Sequence, residues 1–429
     1  MSKAIQSLRG MHDILPSQSA AWQHLEGHIR DIMRGHAYRE MRTPIVEQTA
    51  LFCRSIGEVT DIVEKEMYSF EDRNGESISL RPENTAGCIR AALQHGLLQP
   101  GAISRVWYQG PMFRYERPQK GRYRQFHQIG AEVYGAAGPA VEAELILMSF
   151  ELWQRLGLDA DMHLEINTLG TAEERAAYRA GLVAYFERHY DLLDEDSRRR
   201  LSSNPLRILD SKNPAMQEML NAAPVLTDSL GEESRAHFAE LQRILAAFPI
   251  DVRVNPRLVR GLDYYSHTVF EWVTDQLGAQ GTTCAGGRYD TLTEQLGGKL
   301  TPAVGWAIGA ERILALLEAA GKLPAVPEAD VYVIIAPDVP AAEGLALAAD
   351  VRRALPGRAV MANVAGGSLK SQFKKADKSG AALAVILGAG ELQDGQVTVK
   401  DLRRTGEQQT IERGALAELL GGLSPASTH

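Results

Sequence analysis

Residues 103–135 read ISRVWYQGPMFRYERPQKGRYRQFHQIGAEVYG, and they constrain the fold more than any other stretch of the chain. β-branched and aromatic residues dominate both ends, and a basic segment bearing proline and glycine separates them. The pattern predicts three antiparallel strands, joined by a Gly110-Pro111 turn and a longer loop from Pro118 to Gly121. An α+β domain built on an antiparallel sheet follows. On the loop and its flanks, Arg114, Arg117, Lys120, Arg122 and Arg124 face one acidic residue, Glu116, with Tyr115, Tyr123 and Phe126 interleaved. Such a surface suits phosphates and stacked bases. A solvated, salt-bridged hairpin would have the same composition.

Around this stretch the chain alternates helix and strand. Residues 17–36 carry Trp22, Leu25, Ile29, Ile32 and Met33 at helical spacing behind a serine cap. YREMRTPIVEQ predicts a strand with Pro44 inside it, which must be an edge or interface strand because proline donates no ladder hydrogen bond. SISLRPENTAGCIRAAL predicts strand, turn and helix, with Asn84 and Thr85 as caps. Residues 141–157 form a helix closed by Gly157. Residues 171–250 are charge-rich and helix-prone, as an insertion between two sheet-forming halves would be. RGLDYYSHTVFEW, 260–272, predicts a strand that opens on Arg260 and Asp263. CAGGRYDTL and AVGWAIGAERILALLEAAG continue the sheet. Beyond LPAVPEAD, strands and helices alternate as in a small α/β domain, ending in a hairpin (QVTVKDL, EQQTIER) and a last helix (GALAELLGGL). The expected division is 1–325, with the helical insertion at 171–250, and 326–429.

Composition narrows the function classes. The chain has 429 residues, 45% hydrophobic and 23% charged, as expected of a globular protein of two or three domains. No apolar leader follows Met1 and no run is long enough to cross a bilayer, so the expectation is a cytoplasmic protein. Cys53, Cys88 and Cys284 are too scattered for a disulfide framework or a Cys-x-x-Cys zinc site. A net charge of -8 excludes a surface that grips nucleic acid everywhere, though not locally. HLEGH, with His24 and His28, lacks the glutamate position of a zinc-protease helix, and no metal cage made by the protein is expected. GTTCAGGRYD has Gly287 and Arg288 where a P-loop needs Lys and Ser/Thr.

Arginines at turn and strand edges remain: Arg114, Arg260, and Arg312 just inside a helix. Each alone is an ordinary structural ion pair. Taken with their surroundings, TPIVE, GPMFRYERPQKGRYRQFHQIGAEVYG and GWAIGAERIL resemble motifs 1, 2 and 3 of class II aminoacyl-tRNA synthetases. RGLDYY and AGGRYD resemble the two signatures of the histidyl-tRNA synthetase family, and LKSQFKKADKSGA resembles its C-terminal anticodon-binding domain. The chain departs from the family at Asn84, where many members carry glycine, and because asparagine tolerates positive φ the turn is expected to survive.

The resemblance implies a ligase that activates L-histidine with ATP and passes it to tRNA(His). Two anions must meet, a carboxylate and the α-phosphate, so fixed arginines suit the chemistry. Arg114 and Arg260 would be catalytic: Arg114 on the α-phosphate, Arg260 bridging it to the substrate carboxylate. Arg312 would hold the γ-phosphate and adenine face, with Glu116 and Phe126 at the adenine and Mg2+ on the leaving pyrophosphate. Glu132 and Tyr265 would bond the imidazole, with Tyr264 and Tyr289 lining the pocket. Glu83, Thr85 and Gln128 would hold the amino and carboxylate groups. Arg117, Gln119 and Arg122 would meet the tRNA acceptor end, and Lys370, Lys374, Lys375 and Lys378 the anticodon. A homodimer through the Pro44 region is also implied. The rival reading is a non-catalytic paralogue that regulates histidine biosynthesis. Asp263 either orients Arg260 or braces the turn.

Overall fold

The computed structural model describes residues 4–57, 60–404 and 408–421. Of the elements expected above, Glu407 of the final hairpin and Gly422 and Leu423 of the last helix lie outside the described residues. The chain divides into two compact units, Met1–Leu323 and Pro324–His429.

The first unit is built on an eight-stranded sheet. Its spatial order is Arg39–Glu40, Ser104–Phe113, Gln125–Tyr134, Ala303–Gly309, Thr282–Arg288, Ser266–Val273, His163–Thr168 and Val252–Val254. The six middle strands pair antiparallel, and the two edge strands pair parallel to their neighbours. One face packs on the helices Pro16–Gly35, Pro139–Leu156 and Ala310–Ala319. In the second of these, Leu145, Met148, Leu152 and Leu156 are buried and Gly157 ends it in the left-handed region at φ 67°. Burying each such side chain stabilises the fold by about 1.5–3 kcal/mol.

The other face is different because alternate residues of the central strands are small. In Ala303–Gly309, Val304, Trp306 and Ile308 enter the core, while Ala303, Gly305, Ala307 and Gly309 take the opposite face. The register places Gly305 between Glu132 and Gly287, and Ala307 between Gly130 and Ala285. The sheet therefore carries a shallow bed over its middle. Helices Ala172–Arg188, Glu195–Ser203 and Glu232–Leu245 occupy half of the 171–250 segment. Several of its apolar residues, Leu182 and Phe186 among them, share one buried cluster with Tyr264, Tyr265 and Tyr289.

Several expected elements differ. Residues 103–135 form two strands, not three: Ser104–Phe113 runs straight through Gly110 and Pro111. The Pro111 carbonyl accepts from Arg81 Nε at 2.9 Å, so that residue's polar groups face outward. There the edge strand reaches only Val106 and Trp107, and the missing N–H costs no ladder bond. Pro44 lies between two short strands, Arg39–Glu40 and Val46–Gln48, and inside neither. RGLDYY is a loop, and the strand begins at Ser266. The first helix starts on Pro16 without a serine cap bond. Asn84 has φ -124°, so the expected left-handed turn is absent. Its side chain is buried instead, taking a hydrogen bond from Thr43 Oγ1. The cap is supplied by Glu83, whose carboxylate accepts from the N–H groups of Thr85 (2.6 Å) and Ala86 (3.1 Å).

The second unit is a five-stranded mixed sheet in the order Val360–Ala362, Val331–Ile335, Leu383–Leu387, Gln396–Asp401 and Gln409–Glu412. The first three are parallel and the last two add antiparallel. Helix Leu369–Lys378 buries Gln372 and Ala376 and leaves Lys370, Lys374, Lys375 and Lys378 exposed.

Candidate active site

A cavity of about 380 Å3 stands over the small-residue bed. Of the residues expected at the site, all but Glu132, Arg117 and Gln119 line it directly. Glu132 sits just beneath, 1% exposed, because its carboxyl group lies against Gly305, where a Cβ would collide with it. Its Oε1 accepts from Thr85 Oγ1 at 2.8 Å and its Oε2 from the Tyr289 hydroxyl. Burial, outweighing those two bonds, pushes the Glu132 carboxyl up to about 8. Tyr264, Tyr265 and Tyr289 form the adjoining wall, with ring centroids 4.6 to 6.2 Å apart.

The cavity is also lined by cations. Arg260 pairs with Glu271 and lies over the Tyr265 ring, 5.6 Å from its centroid. Burial opposes its charge, but Glu271 and the phenols hold the guanidinium above its ordinary range. Glu271 also accepts from Thr282 Oγ1 at 2.8 Å. Arg114 is fixed by Nε donating to the Pro82 carbonyl at 2.8 Å and lies 5.3 Å from the Phe126 centroid. Arg312 donates from Nη1 to the Thr282 carbonyl at 2.6 Å. Burial, then the charges of Arg122 and Arg114, depresses the Arg312 guanidinium. Mutual repulsion among these cations would be relieved by a polyanion. Four polar atoms of lining residues, the Tyr108 hydroxyl, Gln128 Oε1, Arg260 Nε and Trp306 Nε1, are buried without a hydrogen-bond partner. A ligand with both donors and acceptors fits that requirement.

Not every expected residue is open to a ligand. Glu116 is 8% exposed and its carboxylate is taken by Arg122. Arg117 and Gln119 are exposed on the loop, whose tip is closed by Gln119 and Arg122 bonding each other's backbones at 3.0 and 2.9 Å. Asp263 accepts from Asn204 Nδ2 at 2.7 Å, and its N–H donates to the Ile56 carbonyl at 3.1 Å. It braces the loop and makes no bond to Arg260. Among the described residues, no group of three His, Cys, Asp or Glu could hold a metal ion.

Sequence reasoning missed Glu271 and Glu311. Glu271 is a carboxylate in the apolar run VFEWV, and Glu311 receives both the N–H and Nδ1 of His127 within 3.0 Å. An acidic residue inside a strand otherwise fit for the core was the available signal for the first.

A family model described as histidyl-tRNA synthetase matches residues 10–313, and one described as anticodon binding domain matches 330–423. A histidine–tRNA ligase of Alkalilimnicola ehrlichii is 58% identical over 420 residues, covering 98% of this chain and 97% of that one. The crystal structure of apo histidyl-tRNA synthetase from S. aureus superposes with a TM-score of 0.81 at 35% identity, covering 97% of this chain and all of that one. A Bacillus halodurans C structure titled as an ATP phosphoribosyltransferase regulatory subunit/histidyl-tRNA synthetase shares the fold, with a TM-score of 0.62 at 22% identity, covering 88% and 98% of the two chains. With a cavity that pairs half-buried arginines with a buried glutamate and three phenols, and with these matches running along nearly its whole length, the chain belongs to the histidyl-tRNA synthetase family.

Proposed function

We propose that this cavity joins L-histidine to ATP, and that the residues named above divide the work. The protein is a histidine–tRNA ligase: it forms histidyl-adenylate and pyrophosphate, then moves the histidyl group to the 3′ end of tRNA(His). A carboxylate oxygen of histidine attacks the α-phosphorus, and the bond to the pyrophosphate oxygen breaks. Arg260 lies between the two anions, Arg114 holds the α-phosphate, and Arg312 holds the γ-phosphate and the adenine face, with Phe126 as the stacking partner. Fixed guanidiniums in a buried site stabilise the charge that accumulates in flight without reorganising. Mg2+ enters with the ATP phosphates as part of the substrate. Glu116 reaches adenine once Arg122 turns toward phosphate or tRNA.

Glu132 takes one imidazole nitrogen and Tyr265 the other, with Tyr264 and Tyr289 closing around the ring. Glu83, Thr85 and Gln128 hold the amino and carboxylate groups. The observation that carries this assignment is the single cavity in which Arg114, Arg260 and Arg312 face a buried glutamate held by Thr85 and Tyr289. The regulatory alternative is disfavoured by the intact arginines and by the 58% identity to a ligase.

The exposed loop is assigned to the acceptor end and the four lysines of Leu369–Lys378 to the anticodon. Charging of tRNA(His) with labelled histidine tests the whole reaction. Arg117→Ala combined with Gln119→Ala is expected to raise KM for tRNA about ten-fold. An unchanged KM removes the loop from tRNA binding.

A homodimer is assigned to the Pro44 face. A groove of about 730 Å3 there is lined by Thr43, Pro44, Leu51 and Leu97, with Ile45 and Val46 each 41% exposed beside it. Sedimentation at micromolar concentration should show a dimer, and a monomer would contradict the assignment. A cytoplasmic location accords with a reaction on tRNA, and no described helix is long and apolar enough to cross a membrane.

A further inference from the structure

Glu142 stands on the helix Pro139–Leu156, behind the phenol wall and outside the cavity lining. It is 0% exposed. Its Oε1 accepts from Arg288 Nε at 2.5 Å and meets His237 Nε2 at 2.9 Å, while Oε2 accepts from Thr268 Oγ1 at 2.5 Å. These three partners come from three different segments. Thr268 lies three residues after Tyr265, Arg288 immediately precedes Tyr289, and His237 belongs to the helix Glu232–Leu245.

Arg288 is itself 2% exposed, and its remaining nitrogens are used: Nη1 reaches Asp290 Oδ1 at 3.1 Å and Nη2 the Gly138 carbonyl at 2.9 Å. Between Tyr265 and Thr268, His267 is held at φ 49°, one of two non-glycine residues with positive φ among those described. Its N–H donates to the Gly170 carbonyl at 2.9 Å and its own carbonyl accepts from Leu169 at 2.6 Å. A conformation of that kind persists only where the surroundings over-determine it. The next residue, Thr268, is the one bonded to Glu142.

We propose that Glu142 is the positioning residue of the histidine pocket, fixing the roots of its two phenol-bearing segments and so the gap between Tyr264–Tyr265 and Tyr289–Glu132. It touches no substrate. The proposal rests on the reading that this cavity takes histidine. Because the γ-phosphate and adenine are assigned to Arg312 and Phe126, which belong to neither phenol-bearing segment, loosening the gap weakens histidine binding and leaves nucleotide binding in place. A general loss of folded protein would instead lower kcat for both substrates together and leave both KM values unmoved.

The test is pyrophosphate exchange by the full-length protein carrying Glu142→Gln, with Thr268→Val as a milder second variant that deletes one of the three bonds and keeps the side-chain shape. Glu142→Gln is expected to raise KM for histidine about ten-fold while KM for ATP stays within about two-fold. Thr268→Val is expected to move the same parameter in the same direction by a smaller factor. If either folded variant keeps the wild-type KM for histidine, or if both KM values rise together, the positioning role is wrong. Should Glu142→Gln fail to fold, Thr268→Val alone decides by the same criterion. The wild-type protein in the same assay separates the two levels: no histidine-dependent exchange there would overturn the reading of the cavity itself.

Discussion

Arg260→Ala is expected to fold normally and to lose histidine-dependent pyrophosphate exchange by a factor on the order of 10² to 10³. The expected size follows from how the cation is held. Arg260 is clamped by Glu271, which is held in turn by Thr282, and its Nε is left without a partner. Such a group is aimed before the reaction begins and needs no rearrangement when charge builds between carboxylate and phosphate. Alanine leaves Glu271 as a carboxylate facing two incoming anions, so the site loses an attraction and gains a repulsion. Arg260→Lys keeps the charge and loses the planar fork, and should fall between the two. Exchange at the wild-type rate in Arg260→Ala would remove this residue from the mechanism.

The second large effect is at Glu132. With its carboxyl raised to about 8 by burial, Glu132 is mostly protonated in the empty pocket at pH 7. Free imidazole titrates near about 6.5. Between those values, the empty site brings one proton and neutral imidazole can share it, so binding takes up and releases none. Above about 8 the complex must acquire a proton, and below about 6.5 it must release one. KM for histidine should therefore be lowest between these limits and rise about ten-fold per pH unit beyond either. Glu132→Gln should raise KM for histidine on the order of 10²-fold or more, since the amide has no proton to share with imidazole and cannot become the carboxylate that pairs with imidazolium. It should also flatten the alkaline limb of the profile. An unaltered alkaline limb would assign that titration to another group.

The same shift carries a stability consequence of defined sign. A carboxyl whose folded pKa lies above its unfolded one contributes stability that is complete below the unfolded value, near 4.5, and is lost as pH rises through about 8. Ligand-free protein should thus lose stability across that window. Histidine should restore part of it by mass action.

Much of this site was legible in the sequence because its residues are chemically unusual where they stand. Arg114, Arg260 and Arg312 are charges at the ends of apolar runs, and Glu132 is an acid in a strand of Ile, Ala and Val. Alternation alone could place Gln128 and Glu132 on one face. It could not say that this face was empty, which depends on Gly130, Gly305, Ala307 and Gly287 lining up across three strands. That alignment is a matter of register, set by pairings between residues about 20 to 170 positions apart. Strand ends were less legible. RGLDYY has strand composition, yet its phenols are buried from a loop that Asp263 and Arg175 tie down, the latter through the Tyr265 carbonyl. Gly110-Pro111 has turn composition, yet at this strand's outer edge proline forfeits nothing. Glu142 gave no sign at all, since a glutamate one turn into a helix is ordinary until its three partners are known.

The central claim is that one cavity selects histidine and activates it with ATP. ATP–pyrophosphate exchange by the purified full-length protein, measured separately with each of the standard amino acids, tests it most directly. Exchange should depend on histidine and exceed that with any other amino acid by a factor on the order of 10⁴. Equal exchange with a second amino acid, or none with histidine, would contradict the account.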